Sequence, residues 1–289
     1  MTTRALSLLL LGLCLCAGGC VSAGSAINIA TSTVQAAPTL AKSAEDFTPD
    51  QEYYLGRGVA ATLLGQYQAL RAPAANEYLN LLGQSLAKYS TMPNTSGGYR
   101  FLLLDSPEIN AFAAPGGLIL VTRGLVQCTT NEDELAAVLA HEIAHVQLRH
   151  GMGSIKQARR TEALMTLGSI AASNAPVPST PVPVSSLTSL FGDAIGDMVQ
   201  TMAVNGYSRG AEFEADRDAL AILRGAGYSE AALPSMLHNM STRLTPGSAG
   251  FGKTHPSPAD RIKSLGVSGS VPANPVRQER FQTALAGVK

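Results

Sequence analysis

Apolar positions recur at helical spacing along much of the chain, and the first such run begins near Thr48. Thr48 and Pro49 suit an N-cap and the first helical position, and acidic residues follow in the first turn. Residues 74–90 repeat the same spacing. The pattern therefore predicts two helices before any strand.

Short apolar runs replace this spacing further along the chain. Residues 99–105 are typical of a buried strand, and residues 110–124 of a hairpin that turns at the Pro-Gly-Gly sequence starting at Pro115. A small sheet is therefore predicted. A long helix should follow it, from an N-cap at Thr129 to a stop at Gly151.

The second half of the chain is predicted to be mostly helical. Prolines recur over residues 174–186 too often for a helix or a central strand, so we interpret residues 174–204 as an insertion and a possible lid. Helical patterns then occupy residues 208–225, 229–244 and 277–285. The fold class expected from these elements is α+β, mainly helical with a small β-sheet.

The N-terminus has the pattern of a processing signal. Arg4 precedes an apolar run that is too short to span a bilayer comfortably, and small residues lead to Cys20. This ending resembles a bacterial lipoprotein signal, with residues 1–19 removed and Cys20 lipidated. Residues 20–47, rich in Ala, Ser and Thr, would form a flexible tether. The alternative is an ordinary secretory peptide.

Charge and cysteine content narrow the possible partners. Lys plus Arg and Asp plus Glu total 21 each, and no basic run is interleaved with aromatic residues, so no nucleic-acid partner is expected. A processed chain would retain Cys20 and Cys128, which excludes an internal disulfide if Cys20 carries lipid. No later apolar run reaches the length of a transmembrane helix.

The long predicted helix contains the sequence HEIAH, from His141 to His145. Residues four apart share a helix face, with Cβ atoms about 6 Å apart, so both histidines can bind one metal ion. Glu142, next to His141, can act on a water molecule without binding the metal. His150 projects nearly opposite His141 and is interpreted as a surface or capping residue. The alternative is a buried helix that carries two structural histidines.

A third ligand is predicted on a later helix. Glu212 lies 67 residues after His145 (212 − 145). Asp216 shares its face, so Glu212 can bind the metal while Asp216 accepts the second ring N–H of a ligand histidine. Glu214 is the alternative ligand. Two histidines and a glutamate suit one Zn²⁺ ion with a position left for water.

Four segments together resemble the zinc metalloproteases of the HtpX and CAAX-prenyl-protease family. They begin at Asn110, His141, Ser208 and Thr254, follow the family's order, and lie within a likeness that covers residues 52–266. The soluble lipoprotein form is similar to the family's LoiP and BepA-type branch. The resemblance implies a zincin domain of the gluzincin type over residues 48–266, followed by a C-terminal tail at residues 267–289.

The resemblance also implies roles for particular residues. It assigns one zinc ion to His141, His145 and Glu212, and the general base to Glu142. The edge strand of the sheet would border the cleft and bind an extended substrate by strand addition. That strand comprises Asn110, Ala111, Phe112 and Ala113. The alternative is a hairpin that serves only the sheet.

Two further residues have expected roles near the zinc ion. His255 lies in the family's His-Pro motif and is expected to be either a removable fourth ligand or a group that stabilises the oxyanion, with a plain loop histidine as the alternative. Arg209 resembles the family's arginine before the ligand glutamate and is expected to pair with Asp216 or Glu142.

The function expected from these residues is zinc-dependent hydrolysis of peptide bonds in misfolded or other envelope proteins, as periplasmic quality control. One alternative is a zinc-containing chaperone or assembly factor for outer-membrane proteins with little proteolysis. Another is a metal-storage or structural-zinc lipoprotein. Val21 after Cys20 favours a lipid anchor in the outer membrane facing the periplasm. The alternative is a secreted or soluble periplasmic protein.

Overall fold

The computed structural model describes residues 47–157, 184–244 and 254–288, with only the backbone described for residues 184–191. The described part is mainly helical with one small sheet, which confirms the predicted α+β class. The predicted signal peptide, Cys20 and nearly all of the tether lie outside the described residues. So do residues 174–183 of the predicted insertion.

Two helices precede the sheet, as the sequence predicts: α1 (Pro49–Gln66) and α2 (Pro73–Ala87). Thr48 caps α1 through a capping box, in which its hydroxyl accepts a hydrogen bond from the Gln51 backbone N–H at 3.2 Å. The Gln51 side chain accepts the Thr48 backbone N–H at 2.9 Å in return. Two backbone donors at the start of the helix are thereby satisfied.

The sheet has three strands: β1 (Arg100–Leu104), β2 (Ala111–Ala114) and β3 (Leu118–Thr122). β3 lies in the centre, parallel to β1 and antiparallel to β2. The predicted hairpin is confirmed, and its turn uses Gly116 at φ 74°. The chain before α2 covers the outer edge of β1, where the Leu70 backbone N–H donates to the Leu103 carbonyl at 2.8 Å. β2 forms the opposite edge.

A short helix, α3 (Arg123–Cys128), leads into α4 (Glu132–Gln147), which carries the predicted metal-binding motif. The predicted N-cap at Thr129 is wrong. Asn131 caps α4 by accepting the Glu134 backbone N–H at 2.9 Å. The Thr129 hydroxyl instead donates to the Val126 carbonyl at 2.7 Å, so it belongs to the end of α3.

The end of α4 also differs from the prediction. The helix ends at Gln147, and the backbone turns at Arg149 with φ 54° before a second helical segment over residues 150–157. Gly151 therefore lies inside this segment, and the predicted stop there is wrong. Arg149 pairs with Glu52 of α1 at 3.0 Å, so a tertiary contact is present where the chain changes direction.

Five more helices complete the described chain. A π-helical turn (Thr201–Asn205) follows the first of them, and Ser208 caps the second. They are α5 (Val184–Gln200), α6 (Arg209–Gly225), α7 (Ala232–Ser241), α8 (Pro258–Leu265) and α9 (Pro275–Leu285). None of the described helices combines the length and apolar character needed to cross a bilayer.

Helix α4 runs through the larger of two apolar cores. Its residues from Glu132 to Val146 are all buried, including the apolar side chains of Leu135, Leu139 and Ile143. The smaller core joins α1, Phe112 of β2 and α5. Helix α9 packs against the larger core, so the segment predicted as a C-terminal tail contributes to the same domain.

Candidate metal centre and active site

Four side chains from three parts of the chain meet beside helix α4. One ligand atom from each of His141, His145, Glu212 and His255 lies within 4.8 Å of the other three. α4 supplies the first two residues, the first turn of α6 supplies Glu212, and the segment before α8 supplies His255. The structure therefore brings together the three predicted ligands and the histidine predicted to lie near them.

Their polar atoms converge on a common point. Nε2 of His141 lies 3.1 Å from Nε2 of His145, and these nitrogens lie 3.6 and 3.4 Å from the two carboxylate oxygens of Glu212. Nδ1 of His255 is 2.6 Å from Glu212 Oε2. Glu212 Oε1 is buried and accepts no hydrogen bond from the part of the chain that the structure describes. A buried carboxylate oxygen without a donor, facing two imidazoles, fits a bound cation, and the donor set suits zinc.

The outer side of His141 is held by a buried ion pair. Its Nδ1 lies 3.1 Å from Asp216 Oδ1, as the sequence predicts for Asp216. Arg261 of α8 donates to both Asp216 oxygens, at 2.9 Å from Nε and 2.5 Å from Nη2. Its side chain is 0% exposed. Arg261 therefore fixes the carboxylate that orients a ligand histidine.

Arg209 does not occupy the position expected for it. It lies at the start of α6, is mostly exposed, and pairs with Asp260 at 3.5 Å. The expected pairing with Asp216 or Glu142 is wrong, because Arg261 already occupies both Asp216 oxygens. Arg261 is the arginine that sequence reasoning missed. The sequence did contain a clue to it. Arg261 lies in the family-like segment that starts at Thr254, six residues after His255 (261 − 255).

Glu142 lies on the cleft side of α4 beside the four-residue cluster. It is 5% exposed, and its carboxylate forms no hydrogen bond with any described residue. Burial raises its pKa above the usual glutamate value. A carboxylate with free lone pairs and a raised pKa is suited to accept a proton from a nearby group.

The pKa values of Glu212 and His145 are also shifted, in directions that suit metal ligands. Burial alone would raise the pKa of Glu212, but His255, His141 and His145 outweigh it and hold the pKa well below the usual value. Burial lowers the pKa of His145 well below normal, so its ring is neutral. An ionised carboxylate and a neutral imidazole are the forms that bind metal.

The pKa of His141 shifts in the opposite direction. Burial and Arg261 both lower it, but hydrogen bonds to Asp216 and Glu212 outweigh them and raise the pKa to about 9. His141 must release a proton before Nε2 can bind a metal, so metal binding here should release a proton.

A narrow cleft runs between Glu142 and strand β2. Ala111, Phe112 and Ala113, three of the four predicted substrate-binding residues, line it. Asn110 does not. It is fully buried, and its backbone N–H donates to the Thr122 hydroxyl at 3.0 Å. Asn110 therefore anchors the hairpin instead of facing the cleft.

The opposite wall of the cleft is formed by the segment after α5 and the segment before α8. Met202, Gly206 and Tyr207 come from the first, and Thr254 and His255 from the second. Gly206 has φ 76°, and a Cβ there would lie 1.8 Å from the Thr254 carbonyl oxygen. Only glycine permits this approach. The two segments therefore meet over the cleft and narrow it.

Sequence reasoning placed His150 wrongly and missed Tyr207. His150 was expected on the surface, but the turn at Arg149 brings its Nδ1 to 2.9 Å from Nδ1 of His145. Tyr207 stacks on the other side of His145, with ring centroids 4.5 Å apart and planes at 23°. Glu214 lies outside the four-residue cluster, which disfavours it as a ligand. Tyr207 directly precedes the Ser208 cap, but no pattern marked it.

The fold and the site define a zincin-type metallopeptidase: a helix with two histidines and a glutamate, and a second helix with a further glutamate. Residues 73–267 match the sequence profile of peptidase family M48. The chain belongs to this metallopeptidase family, which confirms the resemblance drawn from its motifs. The family uses zinc, and the His141, His145, Glu212 and His255 cluster fits such an ion.

Several named proteins are similar to this chain in sequence. The chain is 28% identical over 249 residues to the beta-barrel assembly-enhancing protease of Escherichia coli strain K12, covering 81% of this chain and 49% of the relative. It is 32% identical over 219 residues to the putative beta-barrel assembly-enhancing protease of Vibrio cholerae, covering 74% and 43%. The chain thus spans about half the length of these relatives.

A third relative matches over most of its own length. Metalloprotease LoiP of Escherichia coli strain K12 is 26% identical over 238 residues, covering 78% of this chain and 85% of the relative.

Proposed function

We propose that this chain is a zinc-dependent metalloendopeptidase. The observation that carries the proposal is the convergence of three ligand groups on one buried point, beside Glu142, a buried glutamate that no described residue hydrogen-bonds. A purely structural zinc site has four closed protein ligands and no need for a neighbouring base. Here Glu142 is buried, lines the cleft and has free lone pairs.

The roles follow from the positions of the residues. His141, His145 and Glu212 would hold the zinc ion, which when bound makes a water molecule more acidic and polarises a peptide carbonyl. Glu142 accepts the proton of the attacking water at its carboxylate and passes it to the leaving amine. Asp216 and Arg261 keep the His141 ring oriented.

The substrate is proposed to bind as an extended chain beside β2. β2 is an edge strand of the sheet, and Ala111, Phe112 and Ala113 line the cleft next to Glu142. Backbone pairing with an edge strand selects extended segments and is tolerant of side-chain sequence. The strand residues are at most 7% exposed, so the segment containing Met202 and Tyr207 must move away for a substrate to enter. The predicted lid function of residues 174–204 is part of this proposal.

We propose misfolded envelope proteins as the substrates. The support is the similarity to proteases named for enhancing β-barrel assembly, together with the sequence pattern of a lipoprotein signal. On this proposal Cys20 carries lipid and tethers the domain to the outer membrane, facing the periplasm. The oligomeric state is left open.

The narrow cleft favours one rival function. His255 contacts Glu212 at 2.6 Å and forms part of the wall over the cleft, so it can occupy the position that a water or substrate needs. A protein that remained in this state would bind zinc and act as a chaperone or assembly factor with little proteolysis. His255→Ala tests which role His255 has. Cleavage should increase in this variant if His255 blocks the site, and decrease if His255 stabilises the oxyanion.

The test is zinc content and casein cleavage of the full chain beside Glu142→Gln. We expect one zinc ion in both proteins and a loss of cleavage of about 10²- to 10⁴-fold in the variant, the range for a general base. Zinc in both proteins with no cleavage in either, and none after His255→Ala, would support the rival. Absence of zinc from the parent would contradict the proposed function.

A further inference from the structure

The two ligand histidines of α4 differ in what holds their second ring nitrogen. Nδ1 of His141 faces the carboxylate of Asp216, the arrangement common among metal-binding histidines. Nδ1 of His145 instead faces Nδ1 of His150 at 2.9 Å. A second imidazole therefore occupies the place that a carboxylate takes on the other ligand.

With a metal bound at Nε2 of His145, this contact requires one particular placement of the protons. Two ring nitrogens at this distance form a hydrogen bond when one is protonated and the other is not. Nε2 of His145 faces His141 and Glu212, so its lone pair must stay free for a metal and the proton belongs on Nδ1. Nδ1 of His150 then accepts, and the proton of His150 lies on Nε2. That nitrogen is 3.5 Å from Glu214 Oε2 but forms no hydrogen bond with a described residue.

The surroundings hold this arrangement in place. His150 begins the helical segment that follows the turn at Arg149, and its side chain is 10% exposed. Its ring meets the His145 ring edge-on, with centroids 4.9 Å apart. Tyr207 stacks on His145 at 4.5 Å. His145 is therefore held by a stacked ring and, at Nδ1, by one hydrogen bond.

We infer that His150 is a positioning residue for the metal site: its Nδ1 accepts a hydrogen bond from the Nδ1–H of His145, which keeps Nε2 of His145 directed at the ion. The inference rests on the proposed zinc site. It assigns the last histidine of the sequence HEIAHVQLRH to the metal centre without making it a ligand.

The test measures zinc affinity by competition with a chelator at fixed pH, on the full chain. His150→Phe keeps a ring but removes the acceptor, and should weaken zinc binding by about 10- to 100-fold, the usual cost of losing such a partner. His150→Asn places a carboxamide oxygen near the position of Nδ1 and should restore most of the affinity. The matched control is His238→Phe, at an exposed histidine of α7, with parental affinity expected.

A second readout separates positioning from a merely structural role. The visible absorption spectrum of the Co²⁺-loaded protein reports ligand geometry and should change in His150→Phe but not in His238→Phe. If His150→Phe fails to fold in chelator, His150→Leu carries the test, with the same loss of affinity expected.

Parental affinity and spectrum in His150→Phe would overturn the inference, as would parental affinity in His150→Leu if His150→Phe does not fold. A second zinc ion that disappears in His150→Phe would also overturn it, since His150 would then be a ligand. A parent without zinc would instead refute the proposed function on which the inference depends.

Discussion

Ionisable side chains are buried at both ends of helix α4, but the two ends differ in the hydrogen-bond partners that these side chains have. At the N-terminal end Glu132 accepts hydrogen bonds from Tyr78 and Tyr228 at 2.9 and 2.8 Å and pairs with Arg280. Ten residues further on, Glu142 has no hydrogen-bond partner among the described residues. Nearby Glu212 leaves one oxygen without a donor.

The other acids at the N-terminal end follow the same rule as Glu132. Asp133 accepts from Arg277 at 3.0 Å, and Glu134 accepts from the Ser235 hydroxyl at 2.7 Å. Acidic residues also interact favourably with the positive end of the helix dipole. Buried carboxylates with all partners supplied stabilise the packing of α4, α7 and α9. Buried carboxylates that lack such hydrogen-bond partners mark the place where an ion and a reacting group can bind.

The largest expected effect on stability comes from the ion pair between Arg261 and Asp216, next to the candidate metal site. Arg261→Leu leaves Asp216 as a buried charge without its partner, which should lower the free energy of unfolding by about 3–5 kcal/mol. Urea unfolding in the presence of chelator measures this change. The matched control, Arg209→Leu, removes an exposed arginine that pairs with Asp260 and should cost less than about 1 kcal/mol. Equal losses of unfolding free energy in the two variants would show that Arg261 is not the buried partner of Asp216.

A matched pair of substitutions compares the two ends directly. Glu212→Gln removes a ligand and should weaken zinc binding by more than the roughly 10- to 100-fold that an outer partner costs. Glu132→Gln makes the same chemical change at the other end and should leave zinc affinity unaltered. Chelator competition measures both. A similar zinc loss in the two variants would mean that the N-terminal cluster acts on the metal site through α4.

Glu132→Gln should instead lower stability. Its carboxylate accepts charged and phenolic donors, so losing the charge should cost about 1.5–3 kcal/mol at neutral pH. Burial alone would raise the pKa of Glu132, but hydrogen bonds from Arg280, Tyr228 and Tyr78 outweigh it and lower the pKa.

A lowered pKa in the folded state means that this stability is present above the unfolded pKa of about 4.3 and is lost as pH falls through the folded value. Urea unfolding of parent and Glu132→Gln should therefore converge in acid. A difference that grew as the pH fell would contradict the assignment.

The smallest expected effect concerns the cap of α4. Asn131→Ala removes the acceptor for the Glu134 backbone N–H and should cost about 1 kcal/mol. Thermal unfolding measures the loss, and zinc content should not change. Asn131→Asp keeps a capping oxygen and serves as the control. A loss for Asn131→Ala no greater than that for Asn131→Asp would contradict the assignment of Asn131 as the cap.

Local patterns were enough to predict most of the elements and the residues that gather at the candidate metal site. Four-residue spacing on a helix is set by backbone geometry alone, so His141 with His145, and Glu212 with Asp216, share faces wherever their helices lie. Proline and glycine at the hairpin turn, and Thr48 and Ser208 at helix starts, act through contacts within a few residues. Such contacts need no knowledge of the rest of the fold.

The tertiary structure decided which distant groups meet. Arg209 precedes Glu212 in the chain, yet Arg261 from α8 reaches Asp216, because the packing of α8 against α6 brings it there. His150 reaches His145 only because the chain turns at Arg149. Two glutamates of similar burial, Glu132 and Glu212, differ in role because of the partners that other helices supply. The sequence by itself determined the local geometry of the ligands, whereas long-range packing determined their partners, since packing depends on contacts that no local spacing encodes.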